Sequence, residues 1–224
     1  MEDLMEQLIK RFTLSSNAHL CRDCVGYYRD LYLGYREPGN PDFLNTLKNT
    51  LNNYCPSVLK SARQEVYDRV RRDIPDIIKA EGLEEAVVAV VPRSKAFMSP
   101  NQLGFRDAVQ ECVRILQANG YSGITDGIGC ITRHTDTKTT HIHKFLPGFN
   151  NCGSDPYVGI TNDTCHIDAD AVRGKTVILI DDIYTKTVNV DEDCIQALYD
   201  AGAARVVFYA VAYTYRRSSY RKGA

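Results

Sequence analysis

The stretch VILIDDIYTKTVNVDEDCIQALYDAGA, residues 177–203, constrains the fold more than any other part of the chain. Its first four residues are branched and apolar, which indicates a strand that is buried on both faces. Asp181 and Asp182 follow at once, and a polar turn leads from them into a helix that Gly202 ends. Open parallel sheets bind ligands beyond the carboxyl ends of their strands. We therefore expect Asp181 and Asp182 to lie where a ligand binds.

Four further segments are candidate strands of the same sheet. AVVAVV stops at Pro92 as a buried parallel strand would, and RVVFYAVAY follows the helix of the opening stretch. After AVVAVV, Ser99 and Pro100 should begin a helix that Gly120 ends. Strands that alternate with helices predict an α/β fold with a doubly wound parallel sheet of about five strands. The predicted strands are residues 86–91, 127–132, 157–161, 177–180 and 205–213.

The first third of the chain is expected to be helical. Apolar residues recur there at three- and four-residue intervals, and a turn-rich loop, residues 34–43, separates two helical parts. Pro75 should kink or restart the second part. We expect residues 1–82 to form a helical lobe or hood, residues 83–215 the core, and residues 216–224 a solvated basic tail. The recurring residues are Leu4, Met5, Leu8, Ile9, Val66, Val70, Ile74 and Ile77.

The composition is that of an ordinary globular protein. Its 27 basic and 28 acidic side chains nearly cancel, so nucleic-acid binding is not expected. No apolar run reaches the roughly 18 residues of a membrane span, and the acidic start of the chain does not resemble a signal peptide. Eight cysteines without regular spacing are typical of a reduced protein. These features predict a cytoplasmic protein without a membrane partner.

A hydrophobic strand that ends in Asp-Asp and continues through a threonine-containing loop into a helix resembles the phosphoribosyl pyrophosphate motif of the type I phosphoribosyltransferases. The segments VVPRSK, LGFRDA and VRGKTVILIDDIYT are most similar to the ComF-like, competence-associated branch. The resemblance covers about residues 86–214. It implies the type I phosphoribosyltransferase fold and a glycosyltransferase of nucleotide metabolism. Such an enzyme binds phosphoribosyl pyrophosphate (PRPP) with Mg²⁺, transfers ribose 5-phosphate to a nucleophile that the sequence does not identify, and releases pyrophosphate.

The resemblance also implies roles for individual residues. Asp181 and Asp182 would hold the ribose hydroxyls and help to place Mg²⁺, because ionised carboxylates only accept hydrogen bonds and suit a hard cation. Arg93, Ser94 and Lys95 would cradle the departing pyrophosphate. The helix after the loop would direct free N–H groups at the 5′-phosphate. The loop that binds this phosphate would consist of Tyr184, Thr185, Lys186, Thr187, Val188 and Asn189.

The polar segment 133–151 corresponds to the mobile loop that closes over the reacting centre in this family. It is rich in basic side chains, and a cationic lid would neutralise the departing pyrophosphate while it excludes water. Arg133 and Lys138 are therefore expected to act in catalysis. The other basic residues of the segment are His134, His141, His143 and Lys144.

Departures from the family pattern leave a second function open. Thr187 stands where the family loop has glycine, and a β-branched residue resists the positive φ that glycine provides. Acidic residues at 191–193 would repel a phosphate at the start of the helix. Thr185 replaces an aspartate that relatives using 6-oxopurines employ in proton transfer, so hypoxanthine and guanine are not expected as acceptors. The alternative is a non-catalytic protein of the same fold that senses a ligand or binds a partner.

Other features allow two readings each. Cys21 and Cys24 form a Cys-x-x-Cys pair that, with His19 and Cys55, could bind a structural zinc ion, although free or core cysteines are favoured. Asn189, with an acid three residues later, could cap a helix instead of binding phosphate. Relatives with this fold are commonly dimers, which leaves a homodimer or a complex with a partner protein open.

Overall fold

A computed structural model describes residues 8–140, 142 and 147–215 of the chain. The strands are β1 (Lys10–Leu14), β2 (Cys24–Tyr32), β3 (Ala86–Val90), β4 (Ile124–Asp126), β5 (Ile131–Arg133), β6 (Cys165–Ile167), β7 (Thr176–Tyr184) and β8 (Arg205–Thr214). The helices are α1 (Asp42–Lys48), α2 (Pro56–Glu81), α3 (Gly104–Ala118), α4 (Ile160–Thr164), α5 (Ala169–Val172) and α6 (Val190–Asp200). A short 3₁₀ turn, Pro100–Gln102, precedes α3.

Six of these strands form one sheet in the order β1-β2-β8-β7-β3-β4. Only the pair β1–β2 is antiparallel, and the other neighbours run parallel. Strands β5 and β6 form a separate antiparallel pair. The protein is therefore a mixed α/β fold with a mostly parallel sheet, as the alternation of strand and helix patterns predicts.

Helices cover the central strands on both faces, which is why these strands are apolar throughout. Successive side chains of a strand point to opposite faces. In β7, Ile178 and Ile180 join the buried cluster that contains residues of α2 and α3, whereas Val177 and Leu179 join the cluster that contains residues of α6. The two clusters lie on opposite faces of the sheet, and the arrangement is doubly wound.

Helix α2 begins and ends as its sequence indicates. Pro56 occupies its first position, and Gly82 ends it in the left-handed region at φ 61°. Pro75 does not restart the helix, because a single helix of 26 residues runs through that position. Its buried face consists of Leu59, Ala62, Val66, Val70, Asp73, Ile74 and Ile77.

The prediction that residues 1–82 form a helical lobe is also wrong. The segment contains β1 and β2, and β2 pairs with β8 in the main sheet. Buried Arg29 of β2 donates to Asp73 of α2 at 2.7 Å, and the Tyr209 hydroxyl of β8 donates to the same carboxylate at 2.6 Å. This network joins the first third of the chain to the sheet. Leu4 and Met5 lie outside the described residues, whereas Leu8 and Ile9 precede β1 and are not helical.

Three of the five predicted strands are confirmed as β3, β7 and β8. The strand predicted at 157–161 is wrong, because its last two residues begin α4. The strand predicted at 127–132 is a turn that leads into β5, while the strand beside β3 is β4. Ser99 caps the 3₁₀ turn instead of α3. The loop at 34–43 is confirmed up to Asp42, where α1 begins.

The C-terminal segment 216–224, predicted to be a solvated tail, lies outside the described residues. Across residues 8–140, 142 and 147–215, no helix has both the length and the apolar character that a membrane span requires.

Candidate functional site

A cavity of about 590 Å³ lies at the carboxyl ends of the parallel strands. Its wall includes Tyr32 at the end of β2, Thr214 at the end of β8, and Asp181, Asp182 and Ile183 in β7. The end of β3 and the loop after it, residues 90–96, form another side. Open α/β sheets bind ligands at this edge, so the cavity is the candidate site.

Asp181 and Asp182 both line the cavity, but they lie within β7 instead of following it. Neighbouring residues of a strand point in opposite directions. The Asp182 carboxylate accordingly approaches the Lys48 ammonium of α1 at 3.5 Å, whereas the Asp181 carboxyl lies close to that of Asp191 at the start of α6. The backbone N–H of Asp182 donates to Asp181 Oδ1 at 2.7 Å. The two acids therefore face the cavity from different sides and have different partners.

The facing carboxyls of Asp181 and Asp191 make a buried acid pair. Burial raises the pKa of Asp181 to about 7, and the charge of Asp182 adds to this rise. Burial also raises the pKa of Asp191 well above its usual range, and the nearby charge of Asp181 acts in the same direction. Asp191 Oδ1 is buried without a hydrogen-bond partner among the described residues. Both shifts favour the protonated form of the pair.

The other acids in the first turn of α6 are buried as well. The Asp193 carboxylate accepts hydrogen bonds from the backbone N–H of Gly159 at 2.6 Å and of Thr161 at 2.7 Å. Glu192 accepts a hydrogen bond from the hydroxyl of Tyr184 at 2.7 Å. Glu192 and Asp193 therefore hold neighbouring segments of the protein at the start of α6.

Arg93 lines the cavity, but backbone carbonyls occupy its guanidinium. It donates to the carbonyl of Lys48 at 2.6 Å and to that of Gln102 at 2.7 Å. Burial lowers its pKa, and the charges of Asp182 and Asp181 oppose this effect. The Arg93 guanidinium thus joins the end of α1 to the 3₁₀ turn and stabilises the fold.

Ser94 and Lys95 are held in a similar way. The Ser94 hydroxyl shares a hydrogen bond with that of Thr139 at 2.6 Å. Lys95 donates to the carbonyl of Thr137 at 2.9 Å and to that of Cys152 at 2.6 Å. Both residues line the cavity. They also fix the polar segment that follows β5 against the end of β3.

Arg133 and Lys138 of the predicted lid reach the cavity wall too. Arg133 donates to the carbonyl of Arg93 at 2.5 Å and to the Thr164 hydroxyl at 2.6 Å. Lys138 forms an ion pair with Asp155 at 2.7 Å. The predicted lid residues His141, His143 and Lys144 lie outside the described residues.

The loop between β7 and α6 is divided between the cavity and the surface. Thr185 and Val188 line the cavity, and Lys186 and Thr187 are exposed. The positive φ of the loop, 59°, belongs to Asn189 and not to Thr187, so the predicted conflict between a β-branched residue and a left-handed backbone does not arise.

Two residues of the predicted phosphate loop, Tyr184 and Asn189, have partners inside the protein. Tyr184 does not face the cavity, because its ring packs against Phe12, Phe208 and Tyr213 and its hydroxyl binds Glu192. The side chain of Asn189 makes no capping hydrogen bond and accepts one from Asn17 at 3.2 Å.

The predicted zinc pair is not arranged as a pair of ligands. Cys21 is exposed, whereas Cys24 is buried and its thiol donates to the carbonyl of Val206 at 3.3 Å. Burial raises the pKa of Cys24 to about 12, which favours the neutral thiol over the thiolate that zinc needs. Free and core cysteines, the favoured alternative, match this arrangement.

Sequence reasoning missed three charged residues of the cavity wall: Lys48, Arg106 and Asp191. The sequence did give a signal for Asp191. An acidic residue at the start of a helix that follows a strand ending in acids lies either beside those acids or in solvent. Lys48 carried none, since it lies in no motif, whereas Arg106 lies in the segment LGFRDA, to which no role in the site was assigned. Lys48 reaches the wall only because α1 ends there.

The donor set suits Mg²⁺ only in part. Carboxylates are ligands that Mg²⁺ prefers, and Asp181, Asp182 and Asp191 line the cavity. No group of three or more His, Cys, Asp or Glu in the described part of the chain is arranged to hold a metal ion. A magnesium ion would therefore take most of its ligands from a bound diphosphate and water.

Comparison with known proteins does not identify the chain. No protein-family model matches it, and a search of the curated proteins finds no significant match.

Proposed function

We propose that the protein binds PRPP with Mg²⁺ and transfers ribose 5-phosphate to a nucleophile, as a phosphoribosyltransferase of type I fold. One observation carries the proposal. Asp181 and Asp182 lie near the carboxyl end of a buried parallel strand, and both line a cavity of about 590 Å³. Carboxylates can accept hydrogen bonds from the hydroxyls of a sugar diphosphate, and a cavity of this size holds a small ligand.

The two acids have different tasks in this proposal. Asp182, beside Lys48, is the carboxylate that would accept hydrogen bonds from the ribose hydroxyls. Asp181 shares a proton with Asp191 and would bind the sugar from the α6 side. Mg²⁺, when bound with the substrate, would neutralise the diphosphate as it departs. Displacement at the anomeric carbon needs position and charge from the protein more than covalent chemistry.

The acceptor would contact the apolar and aromatic residues of the cavity lining. These include Tyr32, Leu47, Leu103, Phe105 and Ile183. The hydroxyl of Tyr32 is directed to Asn45 at 3.1 Å. A wall of this kind stabilises an apolar or planar acceptor by burial, and it offers few hydrogen bonds to a polar one.

The 5′-phosphate would bind at the loop between β7 and α6. The exposed side chains of Lys186 and Thr187 and the first turn of α6 offer a cation, a hydroxyl and free N–H groups. Two of the three acids in the first turn of α6, Glu192 and Asp193, have partners inside the protein. They would therefore not face the phosphate.

A second candidate is a non-catalytic protein of this fold that senses a ligand. Arg93, Lys95 and Arg133, the cations expected to bind pyrophosphate, donate to internal acceptors. A pyrophosphate leaving group would then meet fewer free cations than catalysis requires. This observation favours binding without turnover.

Thermal unfolding with and without PRPP tests whether the ligand binds. A ligand at a hundred times its dissociation constant should stabilise the protein by about 2.7 kcal/mol, and Mg²⁺ alone should give much less. Asp182→Asn should reduce the effect, whereas Asp200→Asn, at the exposed end of α6, should retain it. An unchanged melting temperature in the wild type would contradict the proposal.

Pyrophosphate release separates the two candidates once binding is shown. The wild type is incubated with PRPP, Mg²⁺ and a panel of nucleobases and amines, and the pyrophosphate formed is measured. An enzyme releases pyrophosphate only with its acceptor and loses this activity in Asp182→Asn. Binding without release across the panel would support the sensor.

A further inference from the structure

Several contacts hold the backbone around Lys48 in place, and this backbone positions the Lys48 side chain at the cavity. It is the last residue of α1, and Asn49 ends the helix in the left-handed region at φ 39°. Buried Asn49 donates to the carbonyl of Asn101 at 3.2 Å, and Arg93 donates to the carbonyl of Lys48 at 2.6 Å. The position of the Lys48 Cα therefore depends on α1, on the 3₁₀ turn region and on the end of β3 together.

The ammonium of Lys48 retains donors for a ligand. It approaches Asp182 Oδ2 at 3.5 Å, and the side chain is 17% exposed. An ammonium has three N–H donors, and one carboxylate oxygen can take at most one of them at this distance. Two donors are left without a partner among the described residues, on a side chain that lines the cavity and whose partial burial strengthens any interaction with an anion.

The other cations of the cavity wall are less available. Arg93, Lys95 and Arg133 donate to carbonyl or hydroxyl oxygens, and Lys138 pairs with Asp155. Arg106 has neither a hydrogen bond nor an ion pair among the described residues, but it is exposed. Lys48 is thus the partly buried cation whose donors are not already occupied.

We infer that Lys48 binds the anionic diphosphate group of the ligand, directly beside the carboxylate that takes the sugar. The inference deepens the proposed function and rests on it for the identity of the ligand. Asp182 then accepts hydrogen bonds from the sugar hydroxyls, while Lys48 donates hydrogen bonds to the diphosphate oxygens. Their proximity also holds the local charge close to zero when no ligand is bound.

Inorganic pyrophosphate without Mg²⁺ is the probe, because it carries the anion and leaves out the sugar and the metal. Its dissociation constant is measured by calorimetry for the wild type, Lys48→Met, Lys48→Arg and Lys60→Met. Charged hydrogen bonds contribute enough that Lys48→Met should weaken binding about 10- to 100-fold. Lys48→Arg should keep most of the affinity, and Lys60→Met, exposed on α2, should bind as the wild type does.

A double variant separates contact from charge. Lys48→Met alone leaves Asp182 uncompensated, which would repel an anion even if Lys48 never touched it. Asp182→Asn and Lys48→Met/Asp182→Asn differ only in Lys48. Binding at least about 10-fold weaker in the double variant supports a direct contact, and equal binding of the two overturns it.

The outcomes distinguish this inference from the proposed function. If the wild type binds pyrophosphate but not PRPP, the proposed function fails while the Lys48 comparison still decides the inference. If the wild type binds PRPP and Lys48→Met binds both PRPP and pyrophosphate as tightly as the wild type does, the inference alone fails. If it binds neither ligand, both fail.

Discussion

Replacing Asp191 with asparagine should make the stability of the protein less dependent on pH. In the folded protein, burial and the neighbouring Asp181 raise the pKa of Asp191 well above its ordinary value of 3.8. A carboxyl whose pKa is raised by folding contributes stability that is fully present below the unfolded pKa and is lost as the pH rises toward the folded pKa. Asparagine has the same shape, still donates to Asp181, and does not titrate.

The magnitude follows from counting protons. Above its ordinary pKa the unfolded chain loses the proton of Asp191, whereas the raised pKa lets the folded protein keep this proton to a higher pH. One proton difference changes the free energy of unfolding by about 1.4 kcal/mol per pH unit. Asp191→Asn should therefore gain up to about 1.4 kcal/mol relative to the wild type for each pH unit over which only the folded wild type keeps this proton.

Urea unfolding at several pH values between 5 and 7 measures this difference. The free energies of the two proteins should move apart steadily as the pH rises. Asp200→Asn is the matched control, because Asp200 is exposed at the other end of α6, and its curve should run parallel to that of the wild type. Parallel curves for Asp191→Asn and the wild type would refute the existence of a buried, protonated acid pair.

Three further substitutions test the supports of the sheet and the cavity, each by urea unfolding. Asp73→Ala should cost about 3–5 kcal/mol, because it leaves the buried charge of Arg29 uncompensated; a cost below 1 kcal/mol would contradict the network. Arg93→Met should cost about 2–4 kcal/mol, since it releases the carbonyls at the end of α1, and an unchanged midpoint would show that α1 needs no such anchor. Tyr184→Phe should cost about 1–3 kcal/mol by removing the donor to buried Glu192, and a neutral effect would mean that another donor replaces it.

The central strands and the location of the acids could be predicted from the sequence. Strand β3 and the central parts of β7 and β8 are continuous apolar runs, which a sheet covered on both faces requires. The carboxyl edge of such a sheet is a ligand site on topological grounds alone, so the cavity beside Asp181 and Asp182 was foreseeable.

The strands of the first third could not be recognised from local pattern. Arg29 in β2 is buried, and a buried charge in a strand is acceptable only because Asp73 compensates it from α2. Gly26 is needed where the Phe12 ring of β1 lies across β2, since a Cβ there would meet that ring at 2.6 Å. Both requirements arise from contacts distant in the chain, which sequence spacing does not reveal.

The cations of the cavity were predicted in the right place but with the wrong partners. Arg93, Lys95 and Arg133 all reach the wall, yet backbone carbonyls take their donors. Carbonyl groups occur at every residue and therefore carry no sequence signal. The acid pair of Asp181 and Asp191 was missed for a related reason, because a charged residue at a helix start is ordinarily solvated.

Calorimetric titration of the wild type with PRPP in excess Mg²⁺ tests the central claim most directly. The account predicts one binding site per chain and a loss of affinity in Asp182→Asn that Asp200→Asn does not show. An absence of binding at millimolar PRPP, or an Asp182→Asn variant that binds PRPP as tightly as the wild type, would contradict it.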